Sequence, residues 1–598
     1  MSKIQRIVSI VIALYLLLVL IDRFVLVELL VTRVGLSVLL ALFEAFAIFG
    51  AGFAVRAAIA RDWSTVDADL PRDFLLGYPI FGALCFLAGT LNISAWSMGM
   101  LLVVFGVGGI YVFVRRIESR PPEMPTIGEP LVLIALAIVF ICALIAAQAP
   151  PSSLDELAYH LAVPWTWVKE HRAIELPLIS HSYFPLGIES ADLPLLTILG
   201  QLAGGIASHF LHLGAALAAT AMLFRLSRGN ALALAAIVTT PALALIAGWS
   251  LVDWPLIGIC AILVLALDDD DVARISMAIA AGLLTKYTFI AFAVLGCGVW
   301  GVGRGKSTSS TPDSHSPLPT PHSLLIGIAI GSIFFIRNLI LTANPIAPFF
   351  SSAAPHVAAY RAPFLSDYVF DGHFLDESLG ASLIAACTLS AGMLPWILIG
   401  AAVLLFLLAP SSRILLPFLA IPAARSHRPG RLMRLVLVLS IVVQLFLIGY
   451  FVDRGAGFSL LSAAASDAEF LTKQRSSFKT VQSIDALLPA DARALVIGLN
   501  ETFWFARRVR GGGNFDGPRV SRYLEMSTPE ALYARLKNDG ITHVAVVAPA
   551  AAATTVAQKL AERETALSPV AQRMLAQTLD RYASNVAPGA GATVFTLR

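Results

Sequence analysis

Charged side chains are scarce in this sequence. Asp, Glu, Lys and Arg make up 14% of its 598 residues and hydrophobic residues make up 57%, whereas soluble globular proteins carry about 25% charged residues. The mean hydropathy is +0.79. A helix needs roughly 20 apolar residues to span ~30 Å of hydrocarbon, and many stretches of the chain meet that requirement. The composition therefore excludes an ordinary soluble protein and predicts a polytopic α-helical membrane protein.

Paired cysteines and a strong charge of either sign are also missing. The five cysteines all lie inside apolar runs without paired spacing: Cys85, Cys142, Cys260, Cys297 and Cys387. That spacing indicates neither a disulfide framework nor a zinc site. The net charge is only +3, and no basic patch interleaved with aromatic residues is present, so a nucleic-acid partner is excluded.

The apolar runs give a first map of the spans. They lie near 5–22, 34–55, 74–93, 95–114, 131–149, 207–226, 231–248, 252–267, 324–341, 385–409 and 432–452. The first run has a basic start but no small-residue cleavage site, so we expect a retained helix rather than a cleaved signal peptide. The run 414–424 is too short to cross a membrane and has no place in this map.

Basic residues give these spans an orientation, because Lys and Arg accumulate on the cytoplasmic side of membrane proteins. Here they are concentrated in four connections, at 115–120, 225–229, 303–307 and 425–434. All four fall on one side if the N-terminus is cytoplasmic and if the segment 273–300 leaves and re-enters that side. We expect that segment to form a hairpin of two short helices with Lys286 near its tip, which gives about 13 transmembrane helices in total.

This topology predicts three parts: N-terminal transmembrane helices at 1–130, a transmembrane core at 131–452, and an outward-facing tail at 453–598. Loops 150–190 and 342–379 also face outward, and the Pro- and Ser-rich insert 307–323 is predicted to be a disordered cytoplasmic linker. In the tail, ARALVIGL and THVAVVAP are predicted as strands. TPEALYARLKNDG between them is predicted as a helix with a Thr cap and a Gly stop. The tail is therefore expected to be a small extracytoplasmic α/β domain.

Acids and bases from distant segments fall on the predicted outer face. Asp155 and Glu156 open the loop 150–190, Asp253 opens a helix, and Lys286 lies at the hairpin tip. Arg337 and Asn338 lie near the outer end of another helix. Ionisable residues at or inside a bilayer are costly, so they indicate a functional site.

Each of these residues also has a purely structural interpretation. Asp155 is placed to cap a helix, Asp253 precedes a proline at a helix start, Asn338 could be a cap, and Lys286 or Arg337 could extend to the membrane interface. Glu156 and His160 are four residues apart, so on an α-helix they could form an ion pair with each other or hold a metal ion. The adjacent acids followed by His160 favour function over capping.

Four stretches in this order carry a family resemblance: DELAYHLAVPWTWV with FPLGIESADLPLL, SLVDWPLIGICAILVLAL, GLLTKYTFIAF and IRNLILTANPIAPFF. They resemble the GT-C superfamily of integral-membrane glycosyltransferases that use lipid-phosphate-linked sugars, in its bacterial branch related to protein mannosyltransferases and aminoarabinose transferases. The resemblance covers about residues 130–350 and, more loosely, the tail. The four spans before residue 131 are not part of the shared core. A family helix normally accompanies a segment like SSRILLPFLAIP, so one is missing near 410.

The resemblance implies a GT-C-like fold in the cytoplasmic membrane with an outward-facing active site. It implies that Asp155 is the catalytic base in an inverting transfer from a polyprenyl-phosphate-linked sugar to a glycan, lipid or protein acceptor. The substrate-binding candidates are Glu156, Tyr159, His160, Glu189, Asp253, Lys286, Arg337 and Asn338. No metal ligand is assigned and no cofactor is obligatory, although the superfamily includes metal-dependent members. The alternative is a multi-span transporter or a lipid or polysaccharide flippase, against which no internal repeat is visible.

Overall fold

The computed structural model describes most of the chain. Its described residues are 34–64, 68–119, 130–227, 231–294, 321–348, 466–499, 501–512, 517–547, 567–589 and 591–598, with scattered helical residues between 437 and 448. The predicted spans 5–22 and 385–409 and the run 414–424 lie outside these ranges. So do most of span 432–452, most of loop 342–379 and residues 307–320 of the predicted linker.

Thirteen helices have assigned bounds in the described residues before 350, in addition to the helical residues 288–294. They are α1 (Gly35–Ala60), α2 (Leu70–Leu91), α3 (Ala95–Ser119), α4 (Pro130–Ala147), α5 (Ala162–Lys169), α6 (Gly187–Ala191), α7 (Leu193–Leu226), α8 (Ala231–Val238), α9 (Pro241–Ile246), α10 (Asp253–Asp268), α11 (Val272–Thr285), α12 (Pro321–Gly331) and α13 (Ile333–Thr342). A π-helical turn, Glu156–His160, and a 3-10 turn, Ser180–Tyr183, lie in the loop 150–190.

Four of these helices, α1, α2, α3 and α7, are long and apolar enough to cross a membrane. The pair α12 and α13 meets the same test as one bent unit with a 52° angle between its halves. A span near 324–341 was predicted as one helix, whereas the chain bends at Ser332. The helix α12 begins at Pro321, so the last three residues of the predicted linker are helical.

Two other span predictions differ from the structure because of local backbone chemistry. The predicted span 231–248 is divided into α8 and α9, with Pro241 at the start of α9. Proline has no N–H to donate and disfavours helical backbone at the residue before it, which explains the break at Thr240. The predicted span 207–226 is part of the longer α7, which is kinked at Gly200 with φ +77°, a value that glycine adopts without strain.

Close helix contacts hold the loop 150–190 against the helices. At Gly82 of α2, an added Cβ would lie 1.6 Å from the backbone oxygen of Gly187 at the start of α6. Only a residue without a side chain permits this approach. The contact fixes α6, which carries Glu189, against the middle of α2.

The described tail contains a mixed sheet with helices around it. The helices are α14 (Asp467–Gln474), α15 (Ser477–Leu487), α16 (Gly517–Leu524), α17 (Pro529–Asn538) and α18 (Pro569–Tyr582). The strands are β1 (Arg493–Ile497), β2 (Arg508–Gly512), β3 (His543–Val547), β4 (Ala583–Gly589) and β5 (Ala592–Leu597), in the order β2-β1-β3-β5-β4. The first three are parallel, while β5 is antiparallel to both β3 and β4.

Local sequence explains the elements of the tail. The strand β1 lies in ARALVIGL and β3 in THVAVVAP, and all five residues of β3 are buried. The helix α17 starts after Thr528, whose side chain accepts a hydrogen bond from the Ala531 N–H. It is followed by Gly540 at φ +71°. Cap and stop therefore lie where the sequence places them.

Candidate functional site

The π-helical turn Glu156–His160 sets the geometry of the candidate site. Its signature bond runs from the N–H of Leu161 to the carbonyl of Glu156, 3.0 Å away and five residues back. Because a π turn is wider than an α turn, residues four apart are not aligned as they are on an α-helix. Glu156 and His160 accordingly do not form the mutual ion pair that was one of the two alternatives, and each side chain has another partner.

Glu156 is fully buried and accepts hydrogen bonds at both carboxylate oxygens. Its Oε1 lies 2.8 Å from Nε2 of His209 and 2.7 Å from the backbone N–H of Ser250, and its Oε2 accepts from the N–H of Ser153 at 2.9 Å. Burial favours the neutral acid, but His209 and the backbone donors prevail and keep the Glu156 pKa below its ordinary value. Glu156 therefore ties the π turn to α7 and to the segment before α10.

His160 is paired with Glu189. Nδ1 of His160 lies 2.8 Å from Oε1 of Glu189, and both side chains are buried. The other oxygen of Glu189, Oε2, is buried and has no hydrogen-bond partner among the described residues. The two predicted residues thus meet through α6, with one carboxylate oxygen available to a polar group that enters the site.

Tyr159 and His181 form a stack beside Asp155. The ring centroids of Tyr159 and His181 are 4.3 Å apart at 18°, and those of Tyr159 and His160 are 3.9 Å apart. Burial lowers the pKa of His181 to about 3; Asp155 opposes this shift, while His160, Arg519 and Lys286 add to it. The imidazole of His181 is therefore neutral at neutral pH.

Asp253 and Lys286 meet directly. Nζ of Lys286 is 3.4 Å from Oδ1 of Asp253, and the Asp253 side chain is buried. Lys286 lies in extended backbone after the end of α11, and the chain is helical again at 288–294, so the predicted break at Lys286 is present. Tyr287, the neighbour of Lys286, donates to the carbonyl of Tyr183 at 3.2 Å, so this segment contacts the 3-10 turn that carries His181.

Arg337 and Asn338 bind the backbone of the 3-10 turn. Nη1 of Arg337 donates to the carbonyl of Ser182 at 2.6 Å, and Nδ2 of Asn338 donates to the carbonyl of Tyr183 at 2.6 Å. Asn338 is fully buried in the interior of α13, so the capping interpretation is wrong. Both residues hold the turn that carries His181.

The tail reaches the same π turn through residues 501–507, here called the wedge. The carbonyl of Leu157 accepts hydrogen bonds from the N–H groups of Thr502 and Phe503, at 3.0 and 3.1 Å. The Phe503 side chain is fully buried in an apolar cluster with Leu157, Leu161, Ala162 and Leu196. The wedge therefore supports the turn through both backbone hydrogen bonds and apolar packing.

Lys169 at the end of α5 anchors the wedge further along. Its Nζ donates to the carbonyls of Phe505 and Arg507, at 3.0 and 2.9 Å. Burial lowers the pKa of Lys169 to about 7, although Asp485 and Glu170 partly offset this shift. An unfolded lysine titrates near 10.4, so between pH 7 and about 10 the unfolded chain holds a proton at this position that the folded chain lacks.

The free energy of unfolding is consequently expected to rise between pH 7 and about 10, and Lys169 contributes up to about 1.4 kcal/mol per pH unit to this rise. The measurement is the thermal unfolding midpoint at pH 6 to 9 for the wild type, for Lys169→Met and for Lys479→Met, an exposed lysine on α15. The difference between wild type and Lys169→Met should grow in favour of the wild type above pH 7. Parallel pH curves for all three proteins would contradict the assignment.

Several site residues were not among the sequence candidates. His209 lies within an apolar run, where helical periodicity predicts a core residue, and Arg519 lies in the tail, which was treated as a separate domain. His181 and Tyr183 lie in ISHSYF, where a histidine and a tyrosine in an outward loop were the available signal. Among the described residues, no group of three or more His, Cys, Asp and Glu side chains is arranged to hold a metal ion.

Comparison with solved structures gives a weak likeness. No protein-family model and no curated protein matches the chain. The solved structure of ArnT from Cupriavidus metallidurans bound to undecaprenyl phosphate has 14% sequence identity and a TM-score of 0.40, and the match covers 78% of this chain and 97% of that chain. Similarity at this level does not assign the chain to a family, so the functional conclusion depends on the site itself.

Proposed function

We propose that the protein is an integral-membrane glycosyltransferase that moves a sugar from a polyprenyl-phosphate carrier to an acceptor outside the cytoplasm. The observation that carries the proposal is that charged residues from distant segments converge on the 3-10 turn Ser180–Tyr183. Lys286 pairs with Asp253 at 3.4 Å, its neighbour Tyr287 donates to the carbonyl of Tyr183 at 3.2 Å, and Arg337 donates to the carbonyl of Ser182 at 2.6 Å. A carboxylate and cations from distant segments are what a displacement with an anionic leaving group requires. The site would open at the outer rim of the cytoplasmic membrane.

Asp155 acts as the general base in this mechanism. Its carboxylate takes the proton from the acceptor hydroxyl or amine as that group forms a bond to the anomeric carbon. The bond from the anomeric carbon to the phosphate oxygen breaks at the same time, and its electron pair stays on the phosphate. Direct displacement inverts the anomeric centre. Asp155 is half-buried and follows Ser153, whose N–H is held by Glu156, so its backbone is fixed.

Lys286 and Arg337 stabilise the departing phosphate. Cations accelerate a reaction when they lie where negative charge develops in the transition state. Lys286 is oriented by Asp253 at 3.4 Å, and Nη2 of Arg337 is buried without a hydrogen-bond partner among the described residues. His160, Glu189 and Tyr159 would contact the sugar or the acceptor, while Glu156 and Asn338 would support the site from behind. A divalent ion is not required by this scheme.

A transporter or flippase is the second candidate, and two observations favour it. Both carboxylate oxygens of Glu44 on α1 are buried without hydrogen-bond partners among the described residues, and α7 and the pair α12 and α13 are broken helices. Transporters use such charges and breaks near the membrane centre. A transport function based on these two features gives no role to the cluster around His181.

An assay that follows both the sugar and the polyprenyl phosphate of the donor distinguishes the two functions. Purified protein in proteoliposomes would be given polyprenyl-phosphate mannose, glucose or aminoarabinose with a radiolabelled sugar. Transfer is expected to release free polyprenyl phosphate and to place the label on a new acceptor from an envelope extract. Movement of the labelled sugar to the other leaflet while it is still bonded to the carrier phosphate would favour transport. A donor that stays intact in its original leaflet for all three sugars would contradict the proposal.

A further inference from the structure

Two guanidinium groups from different parts of the chain lie over the ring of Tyr183. The Cζ atom of Arg337, on α13, is 5.7 Å from the ring centroid, and that of Arg519, on α16 of the tail, is 5.5 Å from it. The hydroxyl of Tyr183 donates to Glu175, so this ring is held by a separate bond. Tyr183 thus contacts both a cation of the tail and a cation of a membrane helix.

The position of Arg519 is fixed by the core of the tail. Its neighbours Val520 and Leu524 are buried in one cluster with Leu178 of the loop 150–190, so α16 is packed directly against the part of the chain that leads to Tyr183. The Arg519 side chain is almost fully buried. Burial lowers the pKa of Arg519 well below its ordinary value, and Tyr183 offsets part of that shift.

Arg519 also contacts the candidate site, because Tyr183 belongs to the 3-10 turn that carries His181. It is one of the charges that influence His181, together with Asp155 and Lys286. Arg337 contributes Nη2, which is buried without a hydrogen-bond partner among the described residues, while its Nη1 is engaged by Ser182. The Tyr183 ring is therefore contacted by one guanidinium with an unused donor and by a second guanidinium that comes from the tail.

We propose that Arg519 and Arg337 together bind a phosphoryl group, so that the tail supplies part of the anion site. Guanidinium groups are suited to this ligand because their planar forks donate paired hydrogen bonds to phosphate oxygens. The inference rests on the proposed function, in which the group is the phosphate of the polyprenyl carrier. A free phosphate has the same chemistry. The tail would then be required for carrier binding, beyond any role in recognising an acceptor.

The test measures binding directly, with the full-length protein in nanodiscs. The probes are undecaprenyl phosphate, undecaprenol and inorganic phosphate, and the variants are Arg519→Gln, Arg519→Lys and Arg522→Gln. Arg522 is the matched control, because it lies on the same helix with a largely exposed side chain. Arg519→Gln is expected to weaken binding of undecaprenyl phosphate about 10- to 100-fold, the usual size of a lost charge-assisted contact. Arg519→Lys should recover part of this loss, and Arg522→Gln should bind like the wild type.

Undecaprenol, which lacks the phosphate, should bind equally to all four proteins. Unchanged binding of undecaprenyl phosphate by Arg519→Gln, or an equal loss of undecaprenol binding, would overturn the inference. Competition by inorganic phosphate that depends on Arg519 would support recognition of the phosphoryl group alone. Arg519-dependent binding without such competition would support the lipid-linked phosphate as ligand.

Because the probes are not consumed, this result is independent of transfer. Arg519-dependent binding in a protein that transfers no sugar would leave the inference standing and remove the proposed function. Sugar transfer by Arg519→Gln at an unchanged KM for the donor would support the proposed function and remove the inference.

Discussion

Asp155→Asn is expected to lower the rate of sugar transfer by about 10² to 10⁴-fold, the usual contribution of a general base. Asparagine has nearly the same shape but cannot accept a proton from the acceptor as the new bond forms. The measurement is kcat for transfer by reconstituted protein with a saturating lipid-linked donor. Binding of undecaprenyl phosphate should be retained or improved, because the substitution removes a negative charge from a site that receives an anion.

Asp580→Asn is the matched control for this prediction, since Asp580 is exposed on α18 of the tail. Asp155→Glu adds a second comparison, because it keeps the base but moves the carboxylate, and it should retain more activity than the amide. The assignment of the base would be wrong if Asp155→Asn kept more than about a tenth of the wild-type rate. A loss of binding as large as the loss of rate would instead make Asp155 a residue that shapes the pocket.

The meeting of distant charges was predictable from the sequence because it depends on topology. Counting basic connections placed Asp253 and Lys286 on one face, and the structure has them 3.4 Å apart. The separate roles of Glu156 and His160 were not predictable. Spacing of four residues implies a shared face on an α-helix, whereas the π turn removes that alignment, and nothing in ELAYH distinguishes the two kinds of turn.

The partners of these residues could not be predicted either, because they depend on tertiary packing. His209 is surrounded by apolar residues in ASHFLHLGAAL, where period and composition predict only a buried helix face. Its pairing with Glu156 depends on how α7 packs against the loop, which is tertiary information. The break before Pro241 had a local signal in the proline itself. The contacts of the wedge, in contrast, join residues more than 300 positions apart and leave no trace in local pattern.

Phe503→Ala is expected to reduce transfer about 10- to 100-fold per folded molecule, although Phe503 lies far from Asp155 in the chain. Its ring is fully buried against Leu157 and Leu161, so truncation should also cost about 3–5 kcal/mol of unfolding free energy. The loss of activity has a separate cause. The wedge holds the carbonyl of Leu157 inside the π turn, and misplacing a catalytic group by about 1 Å costs roughly 10²-fold in rate.

Phe505→Ala separates these two effects. Phe505 is as deeply buried as Phe503, but its ring packs in the tail with Val481, Ile484 and Val509, and its carbonyl would still accept from Lys169. Both substitutions should lower the unfolding midpoint by similar amounts, whereas only Phe503→Ala should lower kcat after correction for the folded fraction. An unchanged kcat per folded molecule in both variants would mean that the wedge contributes only stability, and equal losses of kcat would mean that the effect is not specific to the Phe503 contact. A selective loss would establish that the tail maintains the geometry of a site built from membrane segments.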